Sequence, residues 1–500
     1  MSLEDVDPKR IGMTGASGGG TQTFMTAALD DRIAVAFPAV MVSTTMQGGC
    51  VCENCSLLRV NTGNVEIAGL FAPKPQAFSC AKDWTSEFNT KGLPELEQLY
   101  SLYGARDKVA AKAWLEYGHQ YNVHARQFMY SWFLKHLQGK DQEVKEPAFM
   151  PVPPKELSVY DAEHPRPKDE LNAEKLREVM TKASDEQIAK LKPKDAASLK
   201  EFQRVVGTAL RAMVDSEKEP ELFEVTSFRA PPGKSGSGDA GIFTRISDTQ
   251  DRVHPLKLNR PALVEKDDGV KYTSGEAIPF RFIHRFNQKD WKGSVLWLHP
   301  AGTKSLLDKG KVAPLVQQLW EAGYSVLAID TLWTGEQVGA KPFAVDKGFA
   351  GYTYGYNRSL LAQRVSDALF GLCIARRFIG TNKPLTHHLV GWGEMGPVAI
   401  LAKALAGDTV KKTAADLNGF NFENIKDAND PMTLPGALKY GGMGAFLGLC
   451  APGEVLVHNH KGTGSGDLSR AAYEAAGAAD KLTRSAEKLD DAKVVEWLVK

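Results

Sequence analysis

The chain has 500 residues, 43% hydrophobic and 24% charged, with 61 Lys+Arg against 60 Asp+Glu for a formal net charge of +1. At about 100–200 residues per domain, this length predicts two to four domains, and the composition excludes wholesale disorder. The even charge gives no support for a nucleic-acid partner, and no apolar run reaches the ~18–20 residues that a membrane span needs.

The opening MSLEDVDPKR has no apolar stretch and is not a signal peptide. KRIGMTG then reads as a short strand entering a glycine turn, and GTQTFMTAAL as a helix. RIAVAFPAVMV is a second apolar strand, PQAFSCAKDW ends a third, and LPELEQLYSLYG is a helix. AKAWLEYGHQYN is a short strand meeting a loop; HARQFMYSWFLKHL is an amphipathic helix with Phe128, Phe133 and Leu137 near one face. Strands alternating with helices predict an α/β fold with a parallel sheet.

Composition changes at Glu146, where EPAFMPVPPKELSVYDAEHPRPKDE is rich in proline and charge and reads as a linker or a surface-hugging segment. Charged helices follow near 171–192 and 195–217, and APPGKSGSGDAG (230–241) reads as a flexible connection. A second α/β pattern then begins. PFRFIHRF, GSVLWLHPAG, YSVLAIDTLW, TAADLNGF and EVLVHNH read as strands; VAPLVQQLWEAG and SLLAQRVSDALFGLCIARRF read as helices. HHLVGWGEMGPVAILAKAL repeats the strand, glycine turn and helix seen near the start, so the chain holds a diverged internal repeat. The expected domains are 1–139, a catalytic portion; 140–222, a proline-rich and helical linker; and 223–500, a second, non-catalytic copy.

The chemistry gathers in the first pattern. Gly15-Ala16-Ser17-Gly18-Gly19 fits G-x-S-x-G, where a serine on a sharp strand-to-helix turn needs small neighbours. The turn presents Ser17 Oγ at the carboxyl end of the sheet and aims the Gly18 amide at a developing oxyanion. A phosphate loop would need a lysine after its glycines, and none follows here. Serine hydrolases of this kind order their partners Ser, then Asp or Glu, then His. Asp83, just past the third strand, and His119, between the last strand and the last helix, stand in that order. Glu53 is the rival acid and His124 the rival base; a turn or capping role is the plain alternative for Asp83.

Six cysteines are present, three of them in CVCENC at Cys50, Cys52 and Cys55. The spacing could suggest zinc, but no histidine lies nearby, and a structural or disulfide role is the favoured reading. His458 and His460 alternate on a strand and could ligate a metal, but without an evident third ligand. No metal and no cofactor is therefore expected.

DVDPKRIGMTGASGGGTQTF, GGCVCEN, NVEIAGLFAPKPQ, KDWT, LPELEQLYSLYGA and GHQYN together resemble the α/β-hydrolase superfamily, and more narrowly the bacterial acetyl xylan esterase-like hydrolases, over about residues 5–139. The resemblance implies serine-dependent hydrolysis of an ester, often an acetyl group on plant polysaccharide, with Ser17 as nucleophile, Asp83 as acid and His119 as base. It also implies export. That fold normally places several strands before the nucleophile, whereas about a dozen residues precede Ser17, so the first copy is expected to be N-terminally incomplete. The later copy keeps those strands, including WLHPAG, which resembles an oxyanion-type loop. Aligning Gly15 with Gly391 sets Gly393 where Ser17 stands, which removes the nucleophile. The leading expectation is a serine carboxylesterase; a serine peptidase on the same fold and a non-enzymatic carbohydrate-binding scaffold are the alternatives. The oligomeric state is not legible.

Overall fold

The computed structural model describes residues 4–214, 223–229, 238–245, 276–284, 290–335, 344–377, 385–461 and 467–500. These form two compact units. The first comprises Met1–Glu170 with Asp346–Asn357, and the second comprises the rest of the described chain from Leu171.

The first unit is built on four parallel strands in the order β1-β2-β3-β4: β1 (Ile11–Ala16), β2 (Ile33–Ala39), β3 (Gln76–Ala81) and β4 (Val109–Trp114). Helices α1 (Gly18–Leu29), α2 (Asn64–Gly69), α3 (Gly92–Leu102) and α4 (Val123–Gln138) connect and cover them. Successive side chains of a strand point to opposite faces. Val35, Phe37 and Ala39 of β2 pack on Met129 and Trp132 of α4, with Phe128, Phe133 and Leu137 beside them. On the other face Phe24 of α1 joins Phe78, Phe88, Leu96 and Tyr100. With both faces covered, β2 reads as an unbroken apolar run rather than an alternating one.

The proline-rich segment after α4 carries no helix or strand longer than the turn at Pro154–Leu157. Its first acid ties it down: Glu146 accepts two bonds from the Arg126 guanidinium of α4, at 2.7 and 2.6 Å.

The second unit opens with α5 (Ala173–Lys190) and α6 (Ala196–Val214). Of residues 140–222, taken from sequence as one linker, the described residues 140–170 fall in the first unit and 171–214 in the second. The reason is the spacing of Leu199, Phe202, Val206, Leu210 and Met213, which puts one apolar stripe along α6, and all five are buried.

A nine-stranded sheet follows. Its strands are β5 (Phe223–Arg229), β6 (Gly238–Arg245), β7 (Glu276–Ile283), β8 (Gly293–Leu298), β11 (Tyr324–Ile329), β12 (Thr386–Gly391), β13 (Lys412–Asp416), β14 (Glu454–His458) and β15 (Leu482–Arg484), in the order β15-β14-β13-β12-β8-β11-β7-β6-β5. A separate ribbon pairs β9 (Leu307–Asp308) with β10 (Lys311–Val312). The six strands from β15 to β11 run parallel; β7, β6 and β5 join antiparallel. The helices are α7 (Pro314–Glu321), α8 (Gly351–Tyr354, in the first unit), α9 (Leu360–Arg377), α10 (Met395–Ala406), α11 (Gly442–Gly448), α12 (Leu468–Ala475) and α13 (Asp491–Val499). Val295, Val326, Val390 and Leu456 meet α7 and α13 on one face, while Leu296 faces Gly371 of α9 on the other.

Of the elements read from sequence, 215–217 of the second charged helix, 230–237 of the glycine-rich connection, 285–286 of PFRFIHRF and Phe378 lie outside the described residues. Residues 238–241, read as part of that connection, begin β6. No helix among the described residues is long and apolar enough to cross a membrane. All six cysteines are free thiols, so of the structural or disulfide role read for CVCENC the disulfide is not formed. Cys80, Cys373 and Cys450 are buried, while Cys50, Cys52 and Cys55 are exposed.

Candidate active site

Parallel strands bring their carboxyl ends to one edge, and the loops that leave that edge carry Ser17 (after β1), Glu53 (after β2), Asp83 (after β3) and His119 (after β4). Ser17 occupies the junction between β1 and α1 with φ 56° and ψ −121°. A non-glycine residue held there is strained, and such strain gathers at functional turns. Its amide is fixed by the Ala39 carbonyl at 3.1 Å, and its own carbonyl accepts from Thr21.

The glycines that allow this turn are not quite the ones the pattern named. A Cβ on Gly15 would strike the Gly19 backbone, and one on Gly20 would come within 2.9 Å of the Ala39 carbonyl. A Cβ on Gly19 would meet nothing within 4 Å. The steric requirement is thus G-x-S-x-x-G, with Gly20 letting α1 approach the end of β2. Gly18 leaves room for a different neighbour: a Cβ there would lie 3.3 Å from Cys52 Sγ and 3.7 Å from Glu53 Oε1.

Asp83 and His119 meet. His119 Nδ1 lies 2.7 Å from Asp83 Oδ2, with the aspartate side chain 5% exposed and the imidazole 32%. The second oxygen, Oδ1, accepts from the Thr85 amide at 2.7 Å and the Thr85 hydroxyl at 2.6 Å. Both carboxylate oxygens are therefore engaged, and the carboxylate plane is set. The Trp84 ring packs against the imidazole with centroids 4.4 Å apart. Its carbonyl accepts from Ser43 Oγ at 2.6 Å, which ties the Asp83 turn to the loop after β2.

The loop that carries His119 is tied towards the strand that carries Ser17. The Tyr121 hydroxyl shares a 2.8 Å hydrogen bond with Thr14 Oγ1, and Thr14 Oγ1 donates to the Phe37 carbonyl at 2.8 Å. Tyr121 also stacks on Phe37, and burial pushes its phenol up to about 12. Thr14 is three residues before the serine and Tyr121 two after the histidine, so this bond links the loop after β4 to β1. Among the described residues the Asp83–His119 bond is formed, and none joins His119 to Ser17.

The two rivals are bonded to other partners. His124 lies at the start of α4 with Nε2 3.1 Å from the Tyr117 hydroxyl, away from Asp83. Glu53 is buried, and its Oε2 accepts the amides of Gly49 and Cys50. The buried Arg59 braces this loop from beneath, donating from Nη1 to the Glu53 carbonyl and to Asn54 Oδ1, and from Nε to Asn64. Tyr356, from the later segment of the same unit, donates to Asn54 Oδ1 at 2.9 Å.

The second unit repeats the turn without the hydroxyl. Gly393 has φ +53°, close to the 56° of Ser17. A Cβ on Gly391 would strike the Met395 backbone, and one on Gly396 would strike the carbonyl of Asp416 at the end of β13. These two glycines do for α10 what Gly15 and Gly20 do for α1. In and just after the HPAG loop, three amides are occupied: Ala301 donates to His299 Nδ1, Gly302 to the His299 carbonyl, and Thr303 to Asp330. His458 Nδ1 accepts the Leu489 amide, and burial lowers the pKa of both His458 and His460. Among the described residues, the one group of three donors placed to hold a metal is Cys50, Cys52 and Glu53.

No family model matches the chain, and no curated protein matches it. Among solved structures, a methylesterase is 35% identical over 27% of this chain and 31% of its own, with a TM-score of 0.26; the chain thus spans under a third of that protein's length. A structure from Bacteroides fragilis named "putative acetyl xylan esterase" is 12% identical, with 64% of this chain and 83% of that one covered and a TM-score of 0.42. A CE15 glucuronoyl esterase from Teredinibacter turnerae is 14% identical, with 56% and 78% covered and a TM-score of 0.34. By name all three are esterases.

Proposed function

We propose that the first unit is a serine carboxylesterase that deacetylates plant polysaccharide through Ser17, His119 and Asp83. The observation that supports this reading is the 2.7 Å Asp83–His119 bond, on the same sheet edge as a serine held at a strained φ of 56°. Asp83 keeps the proton on Nδ1 and leaves Nε2 to act as base. Nε2 takes the Ser17 hydroxyl proton as Oγ attacks the ester carbonyl. The Gly18 amide donates to the oxyanion. Collapse expels the sugar alcohol, which receives the proton from His119 and leaves an acetyl-serine. Water, deprotonated by the same nitrogen, releases acetate and restores the hydroxyl. The acyl group and the polymer rest on the sequence resemblance, as does export. The second unit, with Gly393 at its elbow, carries no hydrolytic chemistry in this reading.

The test is hydrolysis of p-nitrophenyl acetate by the full chain. Wild type gives turnover, and Ser17→Ala lowers kcat by about 10⁴-fold or more. Equal turnover by Ser17→Ala would remove the assignment. Acetate release from acetylated xylan, set beside cleavage of uronic acid methyl esters and peptide esters, then separates the substrate classes.

A further inference from the structure

The loop after β2 holds a cluster that the esterase reading does not use. The Sγ atoms of Cys50 and Cys52 and a carboxylate oxygen of Glu53 all lie within 4.8 Å of one another. Both sulfurs are free thiols on exposed residues, and the carboxylate is buried beneath them. We infer that Cys50, Cys52 and Glu53 form a binding site for a thiophilic divalent cation of the zinc type, beside the Ser17 elbow.

Three features support a built site. The first is that the carboxylate is held in place. Glu53 Oε2 accepts the Gly49 and Cys50 amides, which leaves Oε1 for a ligand. Second, the loop is braced: Asn54 Nδ2 donates to the carbonyls of Gly48 and Cys50 at 3.3 and 2.9 Å, and Arg59 donates to the Glu53 carbonyl at 2.8 Å. Third, two of the donors converge. Cys52 Sγ and Glu53 Oε1 lie 3.3 and 3.7 Å from one point, the position a Gly18 Cβ would take. A tetrahedral ion with sulfur at about 2.3 Å and oxygen at about 2.1 Å needs its ligand atoms about 3.5–3.8 Å apart. The cluster reaches that by about 1 Å of closure, within the reach of side-chain rotation at the two exposed cysteines.

The donor set selects the ion. Two sulfurs and one carboxylate suit zinc, cobalt or cadmium, and are poor for magnesium and calcium, which take oxygen donors. Binding exchanges the two thiol protons for the cation, and three protein ligands leave a fourth position open. Sequence spacing did not show this because C-x-C-E lacks the paired ligands of familiar zinc motifs; folding the turn back on Gly49 and Cys50 brings the acid beneath the sulfurs.

The site is read out by the metal itself, so the test does not depend on esterase activity. The full chain, kept reduced, is titrated with Co²⁺ and followed by the near-ultraviolet thiolate-to-cobalt band. The expected result is saturation at one equivalent, displacement by Zn²⁺, loss of the band in Cys52→Ser and in Cys50→Ser, and retention in Cys55→Ser and Ser17→Ala. Glu53→Gln weakens binding by about tenfold or more. Circular dichroism melts show which variants stay folded, and exposed Cys52 is the variant that decides should Glu53→Gln unfold. Absence of the band, its survival in Cys52→Ser, its dependence on Cys55, or unchanged affinity in folded Glu53→Gln would each overturn the site.

Discussion

Thr85 does for Asp83 what Asp83 does for His119. Its amide and hydroxyl hold one carboxylate oxygen while the imidazole takes the other. Asp83→Asn leaves the shape but offers an amide to Nδ1, which favours the wrong tautomer, so kcat for p-nitrophenyl acetate falls by about 10⁴-fold. Thr85→Val removes one hydrogen bond to a charged group and lowers kcat by about 10–100-fold with little change in KM. A Thr85→Val enzyme with unchanged kcat would show that the carboxylate needs no second support. The order Ser17, Asp83, His119 was legible because each follows a strand. Thr85 and Tyr121 were not singled out. Thr85 left a signal in KDWT, where a hydroxyl two residues past an aspartate can bond back to it. Tyr121 left none, since its bond to Thr14 spans 107 residues. The thiols divide just as sharply. Burial pushes Cys80 and Cys450 up to about 12, so at neutral pH they stay protonated as well as enclosed. Iodoacetamide on the native chain should therefore label Cys50, Cys52 and Cys55 and spare Cys80, Cys373 and Cys450, as peptide mass mapping would show.

At the scale of the element, the strand–turn–helix unit is decided by two close approaches rather than by the whole run of glycines. Gly20 lets α1 sit against the end of β2, and an alanine there would press on Met41 Cβ at 2.8 Å and the Ala39 carbonyl at 2.9 Å. Backbone and a Cβ cannot yield as a flexible side chain can. Gly20→Ala should cost about 1–3 kcal/mol in urea unfolding, together with activity. Gly19 faces open space within the first turn of α1, so Gly19→Ala should gain about 0.4–1 kcal/mol by restricting the unfolded chain. The opposite ranking would mean that the turn does not depend on the contact with β2. Sequence pattern alone could not tell Gly19 from Gly20, because both satisfy a small-residue rule and only the path of β2 separates them. The same limit applied to α6: its charge was plain, while the stripe from Leu199 to Met213 became a packing face only once it had a partner in the second unit.

Across the whole molecule, one arrangement occurs twice. The order β12-β13-β14-β15 in the second unit matches β1-β2-β3-β4 in the first, each opening with the strand that feeds an elbow. The repeat was readable because glycines that admit close backbone approach leave a spacing in the sequence: Gly15, Ser17, Gly20 against Gly391, Gly393, Gly396. What separates the two units chemically lies at the ends of the later strands. Asp83 follows β3 and His119 follows β4; the loop after β15 offers Ser485, Ala486 and Glu487, with no histidine. The elbow itself is not the obstacle, for a Cβ on Gly393 would meet only Pro300, at 3.7 Å, and its φ of +53° is one that Ser17 sustains in the first unit. A hydroxyl without a base remains protonated and unreactive at neutral pH. Adding Gly393→Ser to a Ser17→Ala chain should therefore leave p-nitrophenyl acetate hydrolysis at the level of Ser17→Ala, with the fold retained by circular dichroism. Recovered turnover would show that an imidazole reaches the second elbow, His299 being the first residue after β8, which borders β12, and the chain would then carry two potential hydrolase sites instead of one.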